Sequence, residues 1–182
     1  MELMATITER RSVRSYTSDL IPEAKLQKVL EGIRWAPSWG NTQCWEIIVV
    51  RERETKKKLL ETLSPTNPAR DAIVQAPVTL VVIAIEGRAG FKKGEAATDK
   101  GDWYMFDCGV AMQNLCLAAH AEGLGTVIVG AFDAAKAAAV LKVPPGKAVV
   151  AMTPLGLPER VPAPPKRKAL AEFVYHEYYG SR

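Results

Sequence analysis

The chain has 182 residues, 48% of them hydrophobic and 24% charged, with 24 Lys and Arg against 20 Asp and Glu for a formal net charge of +4. That length suits one well-buried core, so a single domain over 1–182 is expected; without a long apolar run or a secretory leader pattern, the chain reads as soluble, cytoplasmic and free of the membrane. The small basic excess lacks the interleaved aromatics of a nucleic-acid surface, and three cysteines without a Cys-x-x-Cys pair argue against a disulfide framework and a metal centre.

Residues 2–12 read as a helix with Leu3, Met4 and Ile7 on one face. The chain then runs into Arg10, Arg11, Ser12 and Arg14. Guanidinium forks match phosphate oxygens in two-point contacts and serine adds a hydroxyl, so the cluster suits a phosphate clamp; a solvated charged face is the alternative. Pro22 at a first helical position and Glu23 in the first turn open a helix carrying Leu26, Val29, Leu30 and Ile33 at helical spacing. Pro37 pushes Ala36 out of helical geometry and ends it there.

The stretch 37–45 combines small and amide residues (Ser38, Asn41, Gln43) with Trp39 and Trp45, which suits either a binding loop for a flat, polar-edged ligand or an ordinary helix-to-strand turn. A strand over 45–50 follows, its Ile47–Val50 run suggesting burial on both faces, then a charged helix over 51–63 and a short helix over 67–75 closed by Pro77. Residues 78–85 are the most apolar strand and belong at the sheet centre. Residues 86–101 lose periodicity and are expected to form a mobile lid, with Trp103, Tyr104 and Phe106 at its far end as ligand cover or as the start of the next helix.

The helix over 102–122 is apolar nearly all round, a core or interface helix stopped at Gly123; His120 in it is expected to pack rather than catalyse. A strand over 126–129, a helix capped by Asp133 and running to Leu141, and a strand over 147–155 follow. Four prolines between 156 and 165 make 157–182 an extended C-terminal arm, with a short helix over 169–174, better suited to wrapping a partner subunit than to water. The expected architecture is α+β, with a central mixed, mainly antiparallel sheet of four to five strands flanked by helices on both faces.

In this order the segments resemble the nitroreductase family of FMN-dependent oxidoreductases: Arg10-Arg11-Ser12-x-Arg14; Pro37-Ser38 with Asn41-x-Gln43-x-Trp45; Gly123-Leu124-Gly125-Thr126 with Gly130-Ala131-Phe132; Pro154-Leu155-Gly156; and Arg167-Lys168-Ala169-Leu170. Cys44 stands where that family usually has proline, and Val127 where many members carry a bulkier residue. The resemblance implies a homodimer with exchanged arms and one FMN in each of two interfacial pockets. It implies that Arg10, Arg11, Ser12, Arg14 and Arg167 hold the phosphate and ribityl end, that Pro37 and Ser38 line the ring, and that Asn41 and Gln43 bond its edge or the ribityl chain. Gly130 would let main chain approach the ring, and the backbone near Pro154, Leu155 and Gly156 would place an amide by flavin N5. No side-chain acid or base is identifiable. NAD(P)H as a transient hydride donor and a nitroaromatic or quinone as small-molecule acceptor are expected. The alternatives are another flavin reaction (reductive dehalogenation, flavin fragmentation or dehydrogenation) or a flavin- or nucleic-acid-binding protein without turnover.

Overall fold

Two strands carry the longest apolar runs, and the sheet is built outward from them. In the computed structural model, which describes residues 2–182, β1 (Trp45–Val50) and β2 (Val78–Ile85) pair antiparallel over their whole length, Trp45 opposite Ala84 and Val50 opposite Thr79. β5 (Gly125–Thr126) and β6 (Lys147–Gly156) complete the order β1-β2-β6-β5. Every strand pair is antiparallel; the parallel element of the expected mixed sheet is reduced to an isolated bridge between Ser12 and Thr126. The fold is α+β.

β2 explains its own composition. Leu80, Val82 and Ala84 enter one core cluster, and Val81 and Ile83 enter the other, so alternation buries both faces and leaves no polar register. On the first face lie α2 (Glu23–Arg34) and α5 (Tyr104–Ala121); on the second lie α3 (Arg53–Leu60), α4 (Ala72–Gln75) and α6 (Ala134–Leu141). A bulge in β6, where Val82 faces Ala151 and Ile83 faces Val149, changes the parity of the strand. It sends Ala151 to the first cluster and Val149 to the second, although they are two positions apart and would share a face in a regular strand. α2 and α5 cross closely enough that a Cβ on Gly32 would stand 2.8 Å from the Ala118 Cβ.

Four expectations change. The strand foreseen over 126–129 keeps only Gly125–Thr126, while Val129 rejoins β6 through a bridge to Met152 in the same register. The gap faces Pro154, which has no N–H to give the ladder. β1 is an edge strand with mostly half-buried residues, because its outer side has no partner in this chain. Pro22 is the residue before α2 rather than its first member. The final short helix is a single 3₁₀ turn, Leu170–Glu172. Asp133 caps α6 as foreseen, accepting from the Lys136 N–H at 3.0 Å.

Candidate cofactor and substrate site

The arginine cluster begins where α1 (Leu3–Glu9) ends and the chain turns extended. From Arg10 to Tyr16 it runs beside β5, Val13 N–H donating to the Thr126 carbonyl at 2.9 Å, and beside the start of the arm, Thr17 N–H donating to the Leu157 carbonyl at 3.0 Å. Val13 turns into the core between half-buried Ser12 and exposed Arg14, as alternation in extended backbone requires, and Tyr16, three residues on, is buried as well. The Tyr16 hydroxyl donates to the Val13 carbonyl at 2.8 Å and burial raises its pKa, which keeps it a neutral strut.

Arg10, Arg11, Ser12 and Arg14 meet Arg167 around a cleft of about 280 Å³ whose remaining wall is Pro162, Ala163 and Pro165. Residues more than 150 positions apart thus face one space. Arg11 spends donors on the Thr8 carbonyl (2.6 Å) and the Arg10 carbonyl (2.9 Å), and so caps α1. Among the described residues no ion pair engages Arg10, Arg11, Arg14 or Arg167. Unpaired guanidinium groups converging on a cleft repel one another until an anion enters. A phosphate monoester fits this donor set.

The loop after α2 is held from beneath by a residue the sequence reading passed over. Asp107, in the first turn of α5 and 1% exposed, accepts from the Trp39 N–H with both carboxylate oxygens (3.1 and 3.0 Å), and Oδ2 lies 3.7 Å from Cys44 Sγ. Its signal was available: it is the only acid within Tyr104–Ala121. Ser38 Oγ accepts from the Gln43 N–H at 2.9 Å, and Gln43 Nε2 donates to Asn41 Oδ1 at 3.2 Å. Gly40, Asn41 and Gln43 have φ of 52°, 55° and 47°. Left-handed conformations at two non-glycine residues are strained, and the Asp107 and Ser38 contacts hold them. The loop shapes two cavities that meet at Pro37, one of about 360 Å³ with Asn41 and Gln43, the other of about 250 Å³ with Ser38, Trp39, Trp103 and Phe106. Tyr104 instead packs against the first core cluster.

The segment 86–101 is not the featureless loop its composition suggests, because a hairpin of β3 (Phe91–Lys92) and β4 (Glu95–Ala96) lies within it. Lys93 and Gly94 form its turn with φ of 54° and 85°, the primed geometry that short hairpins require.

Pro154, Leu155 and Gly156 lie buried in β6. Leu155 pairs with Val78 on one side and Thr126 on the other, and Gly156 packs on Pro77 and Tyr16, so these residues sit inside the sheet. Ile128 and Gly130 are exposed, on either side of buried Val129. Gly130 lies four residues past Thr126, itself bridged to Ser12; that is a span of at most about 14 Å. His120 is half-buried, and burial pushes its pKa down; it lines a smaller cavity of about 200 Å³ with Arg10, Arg11 and Gly125.

Cys44, Cys108 and Cys116 are all buried and unbridged. Burial, reinforced by the Asp107 carboxylate, pushes the Cys44 thiol up to about 11, and burial with the neighbouring Cys44 pushes Cys108 up to about 12. Folding therefore favours the neutral thiols. Their contribution to stability is intact below the ordinary thiol pKa near 9 and is lost as pH rises from there toward 11 to 12. A thiol reagent at pH 8 is expected to titrate three cysteines in denaturant and almost none in the native protein.

Fold and site together define a small α+β domain with an arginine-lined anion cleft and an aromatic cavity beside a strained polar loop. Residues 7–157 match the nitroreductase family, and the chain belongs to that family. It is similar to the FMN reductase [NAD(P)H] of Bacillus subtilis, 34% identical over 71% of this chain, although the chain spans only 54% of that protein's length. An NADH dehydrogenase of Thermus thermophilus is 30% identical, with 91% of each chain covered. The crystal structure of a nitroreductase family protein from Clostridium novyi superposes with a TM-score of 0.79 at 30% identity, covering 100% of this chain and 96% of the other.

Proposed function

We propose that the protein is an FMN-dependent oxidoreductase that takes reducing equivalents from NAD(P)H and passes them to a small acceptor of the nitroaromatic or quinone type. The observation that carries this reading is the convergence of Arg10, Arg14 and Arg167, unpaired, on one cleft. Those three groups with Ser12 hold the cofactor phosphate, and the exposed glycine at 130 leaves room for a flat ring against main chain. FMN held there by Arg10, Ser12, Arg14 and Arg167 would supply two-electron redox chemistry between the nicotinamide and the acceptor. The polypeptide binds, orients and excludes water; solvent supplies protons.

Within one chain the cavities at the polar loop and those at the arginine cleft share no lining residue. We take the complete site to form between two copies, Asn41 and Gln43 of one protomer serving the ring anchored by the other. Surfaces that ask for such a partner are present: Leu3, Met4 and Ile7 on α1, Met105 and Phe106 on α5, and Leu170, Phe173 and Tyr179 on the arm are all exposed. The open edge of β1 is a place where a partner's arm adds a strand.

The test is spectroscopic and hydrodynamic. The purified protein, supplied with FMN, is expected to turn yellow, to run as a dimer in light scattering, and to be bleached anaerobically by NADH or NADPH and recoloured by a quinone. Protein that stays colourless with FMN, or flavin that neither nicotinamide reduces, overturns the reading.

A further inference from the structure

A lysine stands over one wall of the aromatic cavity, Lys92 Nζ 6.0 Å from the centre of the Trp39 ring, and that charge points to a kind of acceptor. We propose that this protein selects planar aromatic acceptors of one or two rings that carry an anionic substituent, the ring lying among Trp39, Trp103 and Phe106 and the anion on Lys92. The proposal rests on the flavin reading above and adds the substrate class.

Three observations carry it. The cavity is aromatic-walled and small, about 250 Å³, below the roughly 300 Å³ at which pockets for larger ligands begin. Trp103 and Phe106 meet edge to face, centroids 5.5 Å apart at 74°, so the two rings present flat surface at an angle. The hairpin is fixed against this wall: Trp103 N–H donates to the Ala89 carbonyl at 3.0 Å, Trp103 Nε1 donates to Thr98 Oγ1 at 3.0 Å, and a Cβ on Gly90 would stand 2.5 Å from both Trp103 and the Gly101 carbonyl. Glycine alone permits that contact.

With the hairpin set in this way, Lys92 Nζ stands 6.0 Å from the centre of the Trp39 ring. Lys92 has no carboxylate partner among the described residues, whereas Lys100 in the same segment pairs with Asp99 at 3.3 Å. The one acid in the cavity wall, Asp107, gives both oxygens to the Trp39 N–H and faces the loop backbone. An anion on the ring is thus attracted to Lys92 and kept away from Asp107, which orients the ring as well as selecting it. Lysine acts here as a point charge, and its approach to the Trp39 face leaves its N–H donors free for an anion.

For a nitro acceptor the balance is ArNO₂ + NAD(P)H + H⁺ → ArNO + NAD(P)⁺ + H₂O, the nicotinamide being oxidised by two electrons and one N–O bond broken. The experiment uses FMN-loaded protein under anaerobic conditions and compares kcat/KM for 4-nitrobenzoate and for the neutral 4-nitrobenzamide. The ratio of the two is then compared between wild type and Lys92→Met, which cancels their different intrinsic reducibility. Lys92→Met is expected to lower the benzoate-to-benzamide ratio roughly three- to fivefold, the worth of a partly exposed charge contact, mainly through KM. Lys92→Glu lowers it further, and Lys100→Met leaves it unchanged. Quenching of tryptophan fluorescence by unreactive benzoate reads the same difference without turnover. A ratio and a benzoate affinity untouched by Lys92→Met overturn this inference and leave the flavin reading standing. Failure of the FMN-loaded protein to reduce either nitro acceptor also overturns this inference, whereas the flavin reading falls only if neither NADH nor NADPH reduces the bound flavin.

Discussion

Arg14→Glu is expected to weaken FMN binding by at least about 100-fold, an effect read directly by flavin fluorescence titration. One charge-assisted contact to phosphate is worth about 1.5–3 kcal/mol, and the new carboxylate adds repulsion of the same sign, so the sum exceeds the roughly 2.8 kcal/mol that 100-fold requires. The fold should not suffer. Arg14 is exposed, and its one intramolecular bond is a 3.2 Å donation to the Ser12 carbonyl, so the change in unfolding free energy should stay within about 0.5 kcal/mol. The loss should shrink as salt is raised, because the clamp acts through charge at an open cleft. Arg167→Glu should behave alike despite its distance in sequence, since both line the same 280 Å³ cleft. An FMN affinity within threefold of wild type for Arg14→Glu would remove the arginine cleft from the cofactor site.

Asp107→Ala is the change with the largest expected cost to the protein itself. Asp107 is 1% exposed, and its removal leaves the Trp39 N–H and the Cys44 thiol without their acceptor. A buried donor left unsatisfied costs about 1–3 kcal/mol, and the missing carboxylate adds a small void, so a loss of about 2–4 kcal/mol in chemical denaturation is expected. The functional consequence is local. Without the anchor, the left-handed turn at Gly40 and Asn41 relaxes, Trp39 leaves the aromatic cavity, and KM for the acceptor rises while FMN phosphate affinity holds. Asp107→Asn keeps an oxygen for the Trp39 N–H and should recover about half of the lost stability. Asp107→Ala within 0.5 kcal/mol of wild type would show that the loop is held by something else.

The elements that were legible in the sequence are those whose apolar runs admit one explanation. β1 and β2 begin and end where their Val and Ile content predicted, because an eight-residue run such as 78–85 can be buried only by covering both faces. Asp133 was legible as a cap because it acts within one turn of its own helix. The hairpin at Phe91–Ala96 escaped notice since two-residue strands carry no period, and its clearest mark is the Lys93-Gly94 turn. The role of Asp107 is not legible from its helix, because its partners, the Trp39 N–H and the Cys44 thiol, lie more than 60 positions away.

Local chemistry alone therefore specified the longer helices and strands, and it left two readings each for the arginine cluster, anion clamp or solvated face, and for the polar loop, binding loop or turn. Each of those follows from neighbours in the chain, where spacing determines which side chains share a face. That Arg167 joins Arg10 and Arg14, that a single carboxylate supports the loop from another helix, and that Lys92 stands over the Trp39 ring were decided by tertiary structure. Those relations link residues from about 50 to more than 150 positions apart, and contacts at such separations depend on how the two faces of the sheet are filled, on the β6 bulge and on the closeness that Gly32 and Gly90 allow.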